Sequence, residues 1–262
     1  MKLLRKLVPG LAVPFVAAAC ASTPAPTPSP SPEQRPPSAS PVAPPVTRPP
    51  VGAIRGGSWS FSYAPGTYTY TTANEAVVSP LSDTTQKRPT PTSPENATIT
   101  VSADGTVQVI SPQPGATGAC DAPAAELMRA QQLIPGIPAH LAGGESWSDS
   151  TTTEGCRGSV PATSHVVHTY TVLGDTVLPT GNALHLHRDD VISATGEGAE
   201  GQHRVLISAT GTGSAELFFD TATGRFLGSD GVQNSRVDVT TSGRVTRCAQ
   251  RVIQRVGLTN SP

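Results

Sequence analysis

Lysine is almost absent from this chain of 262 residues: Lys2, Lys6 and Lys87 are the only three, and the net charge is −1. That balance excludes a basic groove for nucleic acid and gives no electrostatic hold on a strongly acidic partner. Aromatic residues make up 4%, too few to build a stacking platform for bases or sugars. After residue 19 no apolar stretch is long enough to cross a bilayer as a helix. Catalytic signatures are missing too. Ser159, Ser164 and Ser208 lie in no Gly-x-Ser-x-Gly elbow. The run Gly196 to Gly201 lacks the Lys-Ser/Thr of a phosphate loop and reads as a hairpin turn. Asp189 and Asp190 are adjacent, so on a strand they face opposite sides and cannot easily share a proton; a solvated or salt-bridged pair beside Arg188 is the expectation. The expected role is therefore non-enzymatic, with no cofactor.

What is present begins at the N-terminus. Lys2, Arg5 and Lys6 precede a short apolar run from Leu7 to Ala19, the layout of a secretory signal over residues 1–19. Cys20 follows directly behind Ala17-Ala18-Ala19. This segment resembles the bacterial lipobox, although Ala17 stands where a leucine is usual. The resemblance implies cleavage before Cys20 and acylation of that cysteine. Several acyl chains would anchor the protein stably, whereas a single one holds only marginally. Ala21 is not the aspartate that resembles an inner-membrane retention signal, so the expected place is the outer membrane, with the domain in the periplasm.

From residue 20 to 53 the chain is Pro-, Ser- and Thr-rich. Recurrent proline favours extended polyproline II and forms no core. Thirty such residues reach roughly 90 Å at full extension, a tether that carries residues 54–258 clear of the lipid surface.

With Cys20 acylated, Cys120, Cys156 and Cys248 remain, an odd number in an oxidising compartment. One disulfide and one leftover thiol is the simplest outcome. Gly-rich, loop-like surroundings favour Cys120–Cys156, a bridge worth about 3–4 kcal/mol by the chain-entropy argument. Cys248 is then a buried thiol. Without acylation of Cys20, two bridges are open instead.

Residues 54–258 carry β signals nearly throughout. Period-two alternation over 58–63 and 67–71 around Ala64-Pro65-Gly66 predicts a first hairpin; 97–102 and 106–110 around Asp104-Gly105 predict a second. Asp121 to Leu133 reads as the one helix, capped by Asp121 and stopped by Pro135. Further strands are expected at 146–153, 164–173, 183–194, 202–210, 215–219, 226–229 and 232–240. The segment 244–256 fits either a helical face or a strand, and strand is preferred. The expectation is a mainly β fold: a curved antiparallel sheet or half-barrel with one packed helix.

Histidine is the remaining candidate chemistry. His185 and His187 share a strand face, the spacing of a chelate, and His203 on the next strand is a possible third metal ligand. No Cys, Asp or Glu stands at a recognised ligand spacing, so two solvent-facing histidines and no metal is the preferred reading. His165 and His168 are three apart and face opposite sides.

The sharpest local signature is Leu217-Phe218-Phe219-Asp220-Thr221-Ala222-Thr223-Gly224-Arg225-Phe226. Asp220 can bond the turn backbone and Gly224 can supply positive φ. This strand–Asp-x-x-Thr-Gly–strand element resembles hairpins of bacterial envelope β proteins of the lipoprotein-carrier half-barrel type (LolA/LppX-like). That resemblance implies a long antiparallel sheet curled around a helix, able to hold a lipid or other hydrophobic ligand. The competing expectation is a structural or protein-interaction module whose sheet face is filled by its own core.

Overall fold

The computed structural model describes residues 56–81, 90–91, 94–110, 134–157 and 160–259. The signal segment, Cys20, the tether, Cys120 and the helix expected over 121–133 lie outside these residues. The strands are β1 (Ser58–Ser60), β2 (Gly66–Pro80), β3 (Thr90–Pro91), β4 (Glu95–Val101), β5 (Val107–Val109), β6 (His140–Ala142), β7 (Ser146–Arg157), β8 (Val160–Leu178), β9 (Gly181–Glu200), β10 (His203–Asp220), β11 (Phe226–Thr241) and β12 (Arg244–Thr259). The main path runs β5-β4-β2-β12-β11-β10-β9-β8-β7, with β3 beside β2 and with β1 and β6 forming a separate pair. Every pairing is antiparallel. The chain is thus a mainly β, curled antiparallel half-barrel.

Several local expectations change. The hairpin over 58–71 does not form: β1 pairs with β6, and β2 pairs with β4 and β12. Pro65-Gly66 separates the two strands without pairing them, and Gly66 has φ of 156°. The hairpin around Asp104-Gly105 does form, with Ile99 opposite Val109. The separate segments at 202–210 and 215–219 are one continuous strand, as are 226–229 and 232–240. The segment 244–256 is strand. Gly196 is no turn residue; β9 continues to Glu200. A Cβ on Gly196 would stand 2.6 Å from Pro161 O, so glycine permits the close approach of β8 there.

Alternation gives the sheet two faces. On β10 the odd residues Val205, Ile207, Ala209, Ala215, Leu217 and Phe219 are all buried. Directly paired residues share that inner face, which carries the register to Leu184 and Leu186 on β9, Val172 on β8 and Tyr70 on β2. The outer face shows Val167, Val191 and Val245, which are exposed.

One end of the inner face is a filled core of Tyr70, Ile99, Leu184, Leu186, Leu217, Phe219 and Phe226, with Leu141 of β6 and the side chains of Trp59, Phe61 and Tyr63 laid over it. Phe61 meets the Phe219 ring edge-on at 5.4 Å. Tyr63 O–H donates to Pro135 O at 2.6 Å and accepts from Ile137 N–H at 2.6 Å. Burial pushes the Tyr63 phenol pKa up. Tyr70 O–H reaches Phe226 O at 3.1 Å across the same core. Toward the other end a smaller cluster of Val160, Val205 and Ile207 packs with Val237 and Val239.

The Asp220 turn forms as its residues imply. Asp220 Oδ1 accepts from Ala222 and Thr223 N–H, each at 2.9 Å. Gly224 has φ of 71° and lies against Ser62 O, where a side chain would collide with backbone. Two independent constraints therefore require glycine at this position.

Candidate functional site

The chemistry-bearing side chains gather in two clusters on opposite faces of β9. On the inner face, His168 lies directly opposite Asp190. His168 is 2% exposed and Asp190 8%, so neither reaches bulk water. His168 Nδ1–H donates to Asp190 Oδ1 at 2.6 Å. His168 Nε2 lies 3.0 Å from Thr151 Oγ1. Arg188 Nε stands 3.0 Å from the same Asp190 oxygen. Burial pushes the Asp190 carboxyl up, but the His168 hydrogen bond and the Arg188 charge outweigh it, so its pKa lies below the usual carboxylate range. Tyr170 lies between them and the core, its ring 5.2 Å from Trp147 in a stacked pair. Burial pushes the Tyr170 phenol strongly up, so it stays protonated.

On the outer face, Glu216 joins two histidines. His185 Nε2–H donates to Glu216 Oε2 at 2.6 Å, and His187 Nδ1–H donates to Oε1 at 2.8 Å. His187 Nε2 also faces Asp189 Oδ1 at 3.3 Å. Carboxylates at both ring nitrogens favour the imidazolium, since only that form donates from both. The Glu216 hydrogen bond raises the His187 pKa against the opposing effect of burial. Burial likewise pushes Glu216 up, but the two histidine hydrogen bonds prevail and bring its pKa down to about 2. His185 stacks on Phe218 at 4.8 Å, which fixes its ring plane.

This outer cluster has a worked pH consequence. Glu216 titrates lower in the folded state than its ordinary 4.5, so its contribution to stability is present above that pH and lost as pH falls toward about 2. His187 titrates above its ordinary 6.5, so its contribution is full below that pH and lost as pH rises through the raised value. The two act together between about 4.5 and 6.5. A pH series of melting temperatures should show a decline above that window, and His187→Gln should flatten it. An unchanged alkaline limb in the variant would refute the assignment.

The residues singled out from sequence fall out as follows. His185 and His187 do share a face, but they are not two solvated histidines: His187 is 7% exposed and both bond Glu216. His203 is not with them: it opens β10 and bonds Ser242 Oγ at 2.9 Å. Phe218, opposite His185, lies roughly 50 Å further along the strand at about 3.3 Å per residue. Among the described residues no three His, Cys, Asp or Glu side chains are arranged to hold a metal ion. Asp189 and Asp190 face opposite sides, as do His165 and His168. Glu216 was missed, although counting outward from the turn at Gly201-Gln202 brings it opposite His187. Taking Gly196 to Gly201 as the turn had lost that register.

Cys248 corrects another expectation. It is 1% exposed on the inner face and disulfide-bonded, so it is not a lone thiol. Facing inward beside Val237 and Pro80, it is shielded as a buried thiol would be, and burial alone did not distinguish the two states. Cys120 and the Cys156 side chain, the pair favoured from sequence, lie outside the described residues.

No family model, no curated protein and no solved structure matches this chain.

Proposed function

We propose that the chain is an exported lipoprotein, held in the outer membrane through acylated Cys20, whose half-barrel is a non-catalytic structural or protein-interaction module on a proline-rich tether. One observation carries the choice between module and lipid carrier. The apolar end of the inner face, where a carrier would seat its ligand, is filled by the chain's own Tyr70, Leu217, Phe219 and Phe226, each no more than 2% exposed. The middle of that face is charged, with His168, Arg188 and Asp190 in contact. A lipid chain gains nothing from either region.

The carrier reading keeps one supporting feature. Ala194 and Ala209 face each other on the inner face of β9 and β10, with Gly196, Gly211 and Gly213 further along the same two strands. Native mass spectrometry separates the two readings. The full chain with Cys20→Ala, exported and then exposed to a bacterial membrane extract, should keep its bare polypeptide mass. An added lipid mass that disappears on denaturation would overturn the module reading in favour of the carrier. Labelled palmitate should enter the chain with Cys20 intact and not the Cys20→Ala variant; equal labelling would refute the anchor.

A further inference from the structure

Among the described residues β7 ends the sheet, with β8 on one side and no strand on the other. Its ladder to β8 is unbroken from Ser146↔Thr171 to Arg157↔Val160, with no bulge. Long, regular edge strands are normally blunted by proline, lysine, an inward-pointing charge or a bulge, because open N–H and C=O groups template further pairing. Between Ser146 and Gly155 β7 has neither proline nor lysine, and Asp149 is its one inward-facing charge. At the head of the ladder Val172 N–H donates to Glu145 O at 2.9 Å. Antiparallel alternation then directs the backbone groups of the odd residues to β8, and those of Ser148, Ser150, Thr152 and Glu154 to the open edge.

Among the described residues, β7 also holds two buried side-chain atoms, Asp149 Oδ1 and Thr153 Oγ1, with no hydrogen-bond partner. Both residues lie on the inner face, on either side of Thr151. A twofold axis through Thr151 that pairs β7 with itself antiparallel sets Asp149 of each copy opposite Thr153 of the other.

We propose that β7 is the interface through which a second copy of this chain binds, extending the half-barrel into one continuous sheet. This deepens the reading of the domain as an interaction module and rests on it. The Thr151-centred register is the one that opposes the two orphaned atoms. Rotation about χ1 toward the open edge lets Thr153 O–H donate to Asp149 Oδ1 of the second copy, and the symmetric bond follows. On the outer face Ser150 stands opposite Thr152, repeating the hydroxyl pairs already seen in Ser146–Thr171 at 2.9 Å and Ser148–Thr169 at 3.2 Å. Trp147 stands opposite Gly155, and Ser148 opposite Glu154. No like charges meet. The open backbone groups of the even residues make about eight bonds across the axis.

The test uses the full chain with Cys20→Ala in sedimentation and native mass measurements. The expected species is a dimer at micromolar concentration. Ser150 and Thr152 are exposed on the outer face, so S150K/T152K should leave the fold intact by circular dichroism. It sets two like-charge pairs across the axis and should weaken dimerisation by roughly 100-fold or more. S150E/T152E should be monomeric alone, and an equimolar mixture of the two variants should return to a dimer. A wild-type chain still monomeric at about 100 µM, or a dimer indifferent to S150K/T152K, overturns the proposal. The same native mass separates the two failures: a clean monomer removes the β7 pairing alone, whereas a monomer carrying lipid removes the module reading as well.

Discussion

Phe219→Ala is expected to destabilise the half-barrel by about 3–5 kcal/mol, the range for emptying a fully buried aromatic site. Phe219 is 0% exposed and sits where three parts of the chain meet. Its ring contacts Phe61, from the segment laid over this core, and Phe226, across the Asp220 turn, at 5.4 and 5.2 Å. Leu184 of β9 stands opposite it. These neighbours belong to a two-sheet corner already locked by Tyr63 and Tyr70 hydrogen bonds, so collapse into the cavity is limited. At about 2–4 °C per kcal/mol for a domain of this size, the melting temperature should fall by about 6–20 °C. Val177→Ala is the control: Val177 is 77% exposed, and its loss should stay within about 0.5 kcal/mol. Equal effects from the two variants would refute the placement of the core.

Asp190→Ala is expected to cost a similar amount, about 3–5 kcal/mol, for a different reason. The carboxylate receives His168 and faces Arg188 in a region shielded from water, so its removal takes away the acceptor around which both side chains are packed. Asp190→Asn keeps the shape and one acceptor oxygen and should cost less than alanine. The acid limb supplies a second readout. Folding holds the Asp190 pKa below its ordinary 3.8, so its contribution is present above that pH and lost as pH falls through the lowered value. Urea denaturation at neutral and acidic pH should therefore show the gap between wild type and Asp190→Ala narrowing in acid. A loss of under about 1 kcal/mol at neutral pH, within the range of ordinary surface changes, would mean that the cluster is not the buried ion network its geometry describes.

Legibility in the sequence followed the range of the interaction. The Asp220 turn was readable because Asp220, Thr223 and Gly224 act within five residues of one another, and the structure places each in the role its chemistry implies. Strand character was readable from period-two alternation over most of the sheet; at 244–256, where the apolar spacing also fits a helical face, the Ser242-Gly243 turn and the β-branched residues pointed to the strand that forms. The faces of His185, His187, Asp189 and Asp190 followed from alternation alone. What alternation does not contain is the register. Glu216 reaches His185 and His187 only because β9 and β10 pair in one alignment, and a turn misplaced by a few residues moves every cross-strand partner. His203 illustrates the same loss: proximity in sequence to the turn placed it at the wrong end of the strand.

By itself the sequence determined the β bias and the turns at Asp104-Gly105 and Asp220–Gly224. Each of these is a property of a few adjacent residues and their backbone preferences. Only the tertiary structure decided that β1 leaves its neighbour to pair with β6, that Cys248 is bonded, that His168, Arg188 and Asp190 meet on the inner face, and that among the described residues β7 ends the sheet. Those outcomes depend on contacts between distant segments, chosen by how the whole sheet curls to bury its inner face. No short window of residues contains the competing pairings against which that choice is made.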